Sequence, residues 1–114
     1  MAVQAETATT SACMVLSVKG GFRHADREEF SAAVDRAVHP GCTKVLLDLR
    51  EVPFIDSKAL GLLAMTYHQL KRRQIEFGLL KPTEPVLKLL TISGIPNIIP
   101  IYRTEPEELS PRAA

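Results

Sequence analysis

The middle of the chain reads Val45-Leu46-Leu47-Asp48-Leu49-Arg50-Glu51-Val52-Pro53-Phe54-Ile55-Asp56-Ser57-Lys58-Ala59-Leu60-Gly61-Leu62-Leu63. Its first residues form a nearly unbroken apolar run, which is typical of a central strand covered on both faces. A turn containing Pro53 follows, and from Leu60 onward apolar residues recur at helical spacing. The stretch therefore predicts a buried strand, a short turn and a helix that begins at Asp56 and Ser57.

The start of this helix is the candidate functional position. Free backbone N–H groups and the positive end of the helix dipole gather there, which favours side-chain oxygens and added negative charge. Asp56 can cap the helix, and a phosphate on Ser57 would add about two negative charges at a position that accepts them. The alternative is structural, with the pair capping the helix and doing nothing else.

Strand and helix patterns alternate along the rest of the chain. Apolar and β-branched segments predict strands at residues 12–18, 44–50, 75–80 and 98–102. Amphipathic patterns and capping signals predict helices at residues 26–38, 58–73, 82–92 and 104–109. Phe22 is a candidate for a further short strand, and Pro100 favours an edge position for the last one. The alternation indicates an α/β domain whose sheet is largely parallel after its first strands.

The ends of the chain lack such patterns. Residues 1–11 are small and polar without a period, so we expect a disordered N-terminal tail. The folded domain is expected to occupy residues 12–110, and residues 111–114 to form a flexible C-terminal tail.

Composition excludes several classes of protein. The chain has 114 residues, enough for one domain, and its net charge of +1 and lack of Trp argue against direct nucleic-acid binding. Its N-terminus lacks the basic start and apolar core of a signal peptide. Its apolar runs are far shorter than the roughly 20 residues that cross a bilayer. We expect a cytoplasmic protein without membrane insertion.

Motifs for catalysis and for cofactor binding are missing from the sequence. It contains neither a G-x-G-x-x-G nor a Walker A motif. His39 and Cys42 are too few ligands for a convincing metal site. A nucleophile such as Ser57 would need a base beside it, and nothing in the spacing pairs it with His24 or His68. We therefore expect no enzyme activity, no catalytic residue, no metal and no cofactor.

The central stretch resembles the STAS domain of bacterial anti-sigma factor antagonists, through residues 45–49, 52–57 and 60–63. Residues 81–95 are similar to that family's third helix and its Gly-containing end. The resemblance extends over about residues 14–109. It implies a small α/β domain with a mixed sheet of roughly four or five strands and about four helices.

The resemblance also implies a function. In this family the unmodified antagonist binds an anti-sigma factor that is also an ATP-dependent serine kinase, which frees the sigma factor. Phosphorylation of the antagonist ends the binding, and a phosphatase restores it. By motif, Ser57 corresponds to the phosphorylated serine and Asp56 to the aspartate before it. The chain would then be a substrate of the kinase and not a catalyst.

The same resemblance implies a partner surface. The family's early Gly-x-Leu-Asp-type segment corresponds to residues 20–24 here, and the helix start reads Asp-Ser-Lys-Ala where the family commonly has Asp-Ser-Ser-Gly. The implied partner-binding residues are Gly21, Phe22, Arg23, His24, Phe54, Asp56, Ser57, Lys58, Ala59 and Leu60. The alternative is a non-switching STAS adaptor subunit of a lipid-transport or stress-signalling complex, in which Ser57 is only a cap.

Overall fold

The computed structural model describes residues 2–7 and 12–103. Its strands are β1 (Ala2–Thr7), β2 (Cys13–Lys19), β3 (Lys44–Glu51), β4 (Glu76–Leu80) and β5 (Ile101–Tyr102). Its α-helices are α1 (Arg27–Ala37), α2 (Ser57–Arg72) and α3 (Glu84–Ile92). Two 3₁₀ helices, His24–Asp26 and Ile95–Asn97, complete the described elements. No helix within these ranges is long and apolar enough to cross a membrane.

The five strands form one mixed sheet in the order β1-β2-β3-β4-β5. β1 is antiparallel to β2, and the remaining neighbours are parallel. β3 lies in the centre, where Leu47 is fully buried and stands between Leu16 of β2 and Leu79 of β4. The predicted α/β class, the central strand and the edge position of the last strand are therefore confirmed.

The three α-helices contribute their buried residues to one core. On β3, alternate side chains such as Leu47 and Leu49 enter this core, where Phe30 of α1, Leu63 of α2 and Leu90 of α3 also lie. The opposite face of the sheet carries a smaller cluster of Cys13, Val15 and Leu46, with Tyr102 packed against it. Both cysteines, Cys13 and Cys42, are buried, and neither forms a disulfide bond.

β1 corrects one prediction. Residues 2–7 pair with β2 along their whole length, so the expected disorder of residues 1–11 is wrong for this segment. The pattern Ala-Val-Gln-Ala-Glu-Thr offers few large apolar side chains, and the strand gains its stability from ladder pairing and from Val3, which packs against the core. Sheet context therefore overrides a weak local pattern.

The remaining terminal predictions lie outside the described residues. They concern residues 8–11, the helix at 104–109, the end of the domain at residue 110 and the tail at 111–114. The described part of the chain accordingly has three α-helices where about four were expected.

The effect of a Gly→Ala substitution on stability should depend on the backbone conformation of the glycine, and two glycines allow this to be tested. Gly61 lies in α2, where a Cβ would meet no atom within 4 Å. Gly61→Ala should raise the free energy of unfolding by about 0.5–1 kcal/mol, because it removes backbone freedom from the unfolded chain. Gly94 follows α3 with a φ of 79°, in the left-handed region where a residue with a Cβ is strained. Gly94→Ala should therefore lower the free energy of unfolding by about 1–2 kcal/mol. Urea titrations measure both.

Gly94 is the matched control, since space for a methyl group exists at both positions and the nearest atom to a Cβ at Gly94 is 3.9 Å away. A change of the same sign in both variants would contradict this explanation.

Candidate functional site

The loops after β2 and β3 lie side by side, because the carboxyl ends of parallel strands meet at one edge of a sheet. Backbone pairing continues into these loops. The Phe22 N–H donates to the Phe54 carbonyl at 3.0 Å, and the Asp56 N–H donates to the Phe22 carbonyl at 3.1 Å. Phe22 and Ile55 form a short parallel bridge, which corresponds to the further strand considered at Phe22. The two loops are thereby fixed against each other.

The Asp56 carboxylate joins one loop to the start of α2. It accepts from the Ala59 N–H at 2.8 Å, which makes Asp56 the N-cap of the helix. It also accepts from the His24 N–H, with distances of 3.1 and 3.3 Å to its two oxygens. One side chain therefore accepts from a backbone donor in its own helix and from another that lies 32 positions earlier in the chain.

The environment of Asp56 favours its charged form. Burial acts to raise the pKa of this carboxyl group. The hydrogen bonds from Ala59 and His24 outweigh burial, with help from the positive charges of His24 and Arg23. The net effect is a pKa below the ordinary value, so the carboxylate is ionised at neutral pH.

Ser57 is the first residue of α2 and is exposed. Because Asp56 provides the cap, the Ser57 hydroxyl has no capping role, and it makes no hydrogen bond to any residue within 2–7 and 12–103. It is likewise unpaired with any described histidine, as a nucleophile would require. The hydroxyl is thus accessible at the positive end of a helix of 16 residues.

The Phe54 ring lies beside the start of α2, where it contacts Gly21 and Arg23. Phe54 is 41% exposed, and the Arg23 guanidinium carbon lies 4.5 Å from its ring centroid, within the range of a cation–π contact. A Cβ on Gly21 would overlap the Phe54 ring. The aromatic ring therefore rests directly on the Gly21 backbone.

The structure brings the ten predicted partner-binding residues to one end of the domain, but with different exposure. Seven are exposed or half-buried: Gly21, Arg23, His24, Phe54, Asp56, Ser57 and Lys58. Phe22, Ala59 and Leu60 are buried, and Phe22 packs against Phe30 with ring centroids 5.0 Å apart. These three side chains support the surface from beneath in this conformation and are not in a position to contact a partner.

Asp26 has a different role from the one the sequence suggests. An aspartate directly before a helix often caps it, but the Asp26 carboxylate accepts from the Arg23 N–H at 3.1 Å and makes no capping bond to α1. The 3₁₀ turn before α1 accounts for the difference, because it places the carboxylate over the loop.

Sequence reasoning missed a shallow groove next to Ser57. Its volume is about 350 Å³, and its lining residues are His24, Lys58, Gly61, Leu62 and Met65. Met65 is 59% exposed. The available signal was that Met65 falls outside the apolar stripe of α2.

In the part of the chain that the structure describes, no group of three or more His, Cys, Asp or Glu residues could hold a metal ion.

Comparisons with known proteins place these features in context. The sequence model of the STAS domain matches residues 4–108. The anti-sigma F factor antagonist of Paenibacillus polymyxa is 26% identical over 111 residues, which cover 96% of this chain and 95% of that protein. The solved structure of the anti-sigma factor antagonist SpoIIAA in its unphosphorylated form is 25% identical with a TM-score of 0.72, covering 91% of this chain and 90% of that one.

A second solved structure is that of the Bacillus cell fate determinant SpoIIAA in the phosphorylated form. It is 22% identical with a TM-score of 0.63, and the match covers 99% of this chain and 100% of that one. At this level of identity the likeness concerns the fold alone.

Asp56→Ala should lower the free energy of unfolding by about 1 kcal/mol at neutral pH, since the N–H groups of Ala59 and His24 lose the carboxylate that accepts from them. The pKa of Asp56 is lower in the folded than in the unfolded protein. The ionised carboxylate therefore contributes fully to the free energy of unfolding above about pH 4, and this contribution is lost as the pH falls through the folded pKa. The difference in the free energy of unfolding between wild type and Asp56→Ala should therefore shrink on acidification. Urea unfolding from neutral pH down to below about pH 4 measures this difference.

Asp56→Asn is the control, because it keeps an oxygen acceptor but no charge. A difference between wild type and Asp56→Ala that does not change with pH would rule out the ionised cap.

Gly21→Ala should displace the Phe54 ring and end its contact with Arg23, because the new methyl group needs the space of the ring. The loss of the ring-current shift on the Arg23 side-chain protons, measured by NMR, reports this. Phe54→Leu gives the reference spectrum without a ring. Unchanged Arg23 shifts in Gly21→Ala would mean that the ring does not rest on this glycine.

Proposed function

Since the chain belongs to the STAS domain family, we propose that it is an anti-sigma factor antagonist that acts as a partner switch. In its unphosphorylated form it binds an anti-sigma factor that is also an ATP-dependent serine kinase. Phosphorylation of Ser57 by this kinase releases it, and a phosphatase acting on phosphorylated Ser57 restores the binding. The protein acts in the cytoplasm as a substrate and binding partner, not as an enzyme.

The accessible Ser57 hydroxyl is the observation that carries this proposal. A kinase must reach the hydroxyl oxygen, and here Ser57 is exposed and its hydroxyl makes no hydrogen bond to any residue that the structure describes. The helix keeps its cap after modification because the cap is Asp56. This division of roles favours modification over the adaptor alternative, in which Ser57 serves only as a cap.

The electrostatics of the site are compatible with a phosphate. About two negative charges at the N-terminus of α2 interact favourably with the helix dipole. Arg23 and His24 already lie close enough to Asp56 to lower its pKa, and Lys58 directly follows Ser57 in the chain. The folded domain should therefore tolerate the phosphate, and the effect falls on the partner through repulsion and desolvation.

The comparisons support the same function at a coarser level. The relative from Paenibacillus polymyxa, which matches nearly the whole chain, is named an anti-sigma F factor antagonist. The related fold of SpoIIAA has been solved in both unphosphorylated and phosphorylated forms. A fold that exists in both forms is a suitable scaffold for a switch.

Incubation with ATP and each candidate anti-sigma factor kinase from the same organism should place one phosphate on Ser57, identified by mass spectrometry of peptides. Ser57→Ala should abolish the modification. Ser93→Ala is the matched control, because Ser93 is also exposed and adjoins a helix end, and it should leave the modification unchanged. Phosphate on another residue with Ser57 untouched would sink the proposal.

The same preparation tests release. Ser57→Asp should weaken binding to the kinase by at least about tenfold, since a charge facing the partner interface is repelled or desolvated. Ser57→Ala should bind as wild type does. Titration calorimetry measures both affinities, and equal values for wild type and Ser57→Asp would argue against a switch.

A further inference from the structure

The face of the sheet that is turned away from the three α-helices is buried at its centre. Side chains alternate between the two faces of a strand, and on this second face Cys13, Val15 and Leu46 form the smaller apolar cluster. Leu46 is fully buried, Cys13 is 2% exposed and Val15 is 8% exposed. Apolar side chains on a sheet lose their contact with water only when another layer covers them. The second face therefore has a cover.

Tyr102 of β5 supplies one part of this cover. Its ring packs against the cluster, and a Cβ on Gly78 would lie 2.7 Å from the ring and 3.0 Å from Leu46. The ring therefore lies across Gly78 toward Leu46. Cys13 and Val15 lie on β2, three strands away from β5. Three strand spacings amount to about 14 Å, which is further than one side chain reaches.

The three α-helices do not supply the rest. Their buried apolar residues belong to the core on the other face, and among residues 2–7 and 12–103 the second-face cluster takes no residue from a helix. Residues 8–11 connect β1 to β2 and read Ala-Thr-Thr-Ser, without a large apolar side chain. Met1 precedes Ala2, which pairs at the opposite end of β2 from Cys13. The part of the chain that remains follows β5.

Residues 104–109 are well placed to cover the second face. They follow β5 almost directly, read Thr-Glu-Pro-Glu-Glu-Leu and include one large apolar side chain, Leu109. The helix that the sequence predicts here would advance about 9 Å over its six residues, which is about two strand spacings. A segment that starts at β5 on the side of Tyr102 thus reaches β3, where Leu46 lies.

A cation on the second face favours an acidic cover. Lys44 is half-buried, and its ammonium group donates to the Tyr102 hydroxyl at 3.5 Å. The same group lies 5.4 Å from the centroid of the Tyr102 ring, so it stands beside the apolar cluster. Half of the segment 104–109 is acidic, with Glu105, Glu107 and Glu108.

Two other carboxylates lie on this face, and neither replaces the segment as a partner for Lys44. Asp48 is buried and is held by Arg50, with 2.7 Å between its Oδ2 and the guanidinium Nη2. Glu76 stands opposite Lys44 in the register of β3 and β4 but is exposed, so water weakens its attraction. A carboxylate above the half-buried ammonium group meets less water and interacts more strongly.

We propose that residues 104–109 bind across the second face of the sheet as an intramolecular cover, with Leu109 on the apolar cluster and a glutamate beside Lys44. The inference goes beyond the proposed function and does not rest on it. The cover keeps water and solutes away from Cys13, so the reaction rate of this thiol measures how often the cover opens.

The two cysteines provide the test, because Cys13 lies on the second face and Cys42 in the core beneath the helices. Full-length protein is alkylated with iodoacetamide under native conditions, and each cysteine is quantified by mass spectrometry of peptides. Leu109→Asp should raise the alkylation rate of Cys13 by at least about tenfold, because a charged side chain does not stay on an apolar surface. The rate of Cys42 should change by less than about twofold.

Ile92→Asp is the matched control, since Ile92 is 73% exposed on α3, in the helix layer on the other face. It should leave the rates of both cysteines as they are in wild type.

A charge variant tests the contact with Lys44 separately. Replacing the three glutamates of residues 104–109 together by Lys should also raise the alkylation rate of Cys13, because like charges repel. High salt should reduce this effect, since ions screen exposed charges. Asp35→Lys on the exposed side of α1 is the control and should change neither rate.

Three results would overturn the proposal. The first is a wild-type rate for Cys13 in both Leu109→Asp and the glutamate variant, since another group would then cover the face. The second is a wild-type rate for Cys13 that falls as the protein concentration rises, which would identify a second copy of the chain as the cover. The third is an equal rise for Cys13 and Cys42 in both variants, because the whole domain would then open.

Discussion

The geometry of the site depends on one carboxylate shared between two backbone donors. Asp56 accepts from Ala59 in its own helix and from His24 in the loop after β2. A charged acceptor bound to N–H donors makes stronger hydrogen bonds than a neutral one. The orientation of α2 and the position of the loop are therefore not independent, and Ser57 is held in one place relative to both.

The parallel sheet makes this sharing possible. β2 and β3 end at the same edge, so their following loops start as neighbours, and the bridge between Phe22 and Ile55 extends the pairing beyond the strands. Buried side chains below, including Phe22 and Ala59, fill the space under the loops. The exposed residues of the two loops thus pack on buried side chains, and only their outer atoms are accessible to another molecule.

Much of the fold could be predicted from local patterns, because the central strand and α2 carry strong and different periodicities. β1 could not, since its short polar sequence becomes a strand only when β2 offers a partner. At the site, capping chemistry was sufficient to predict that a helix begins at Ser57 with Asp56 as its cap. It was not sufficient to separate Phe54, which is exposed, from Phe22, which is buried, because proximity in sequence does not give side-chain direction. The shallow groove next to Ser57 likewise depends on the packing of α2.

The position of Ser57 in the first turn of α2 has a consequence for recognition. Its backbone is already helical, and the residues around it come from segments 32 positions apart. Any enzyme that modifies Ser57 must therefore either recognise this assembled surface or first break the Asp56 hydrogen bonds that hold it. A linear peptide of the same sequence would lack the His24 side of the surface. An enzyme that recognised the assembled surface would modify only folded molecules, so that unfolded copies of the chain would not compete for it.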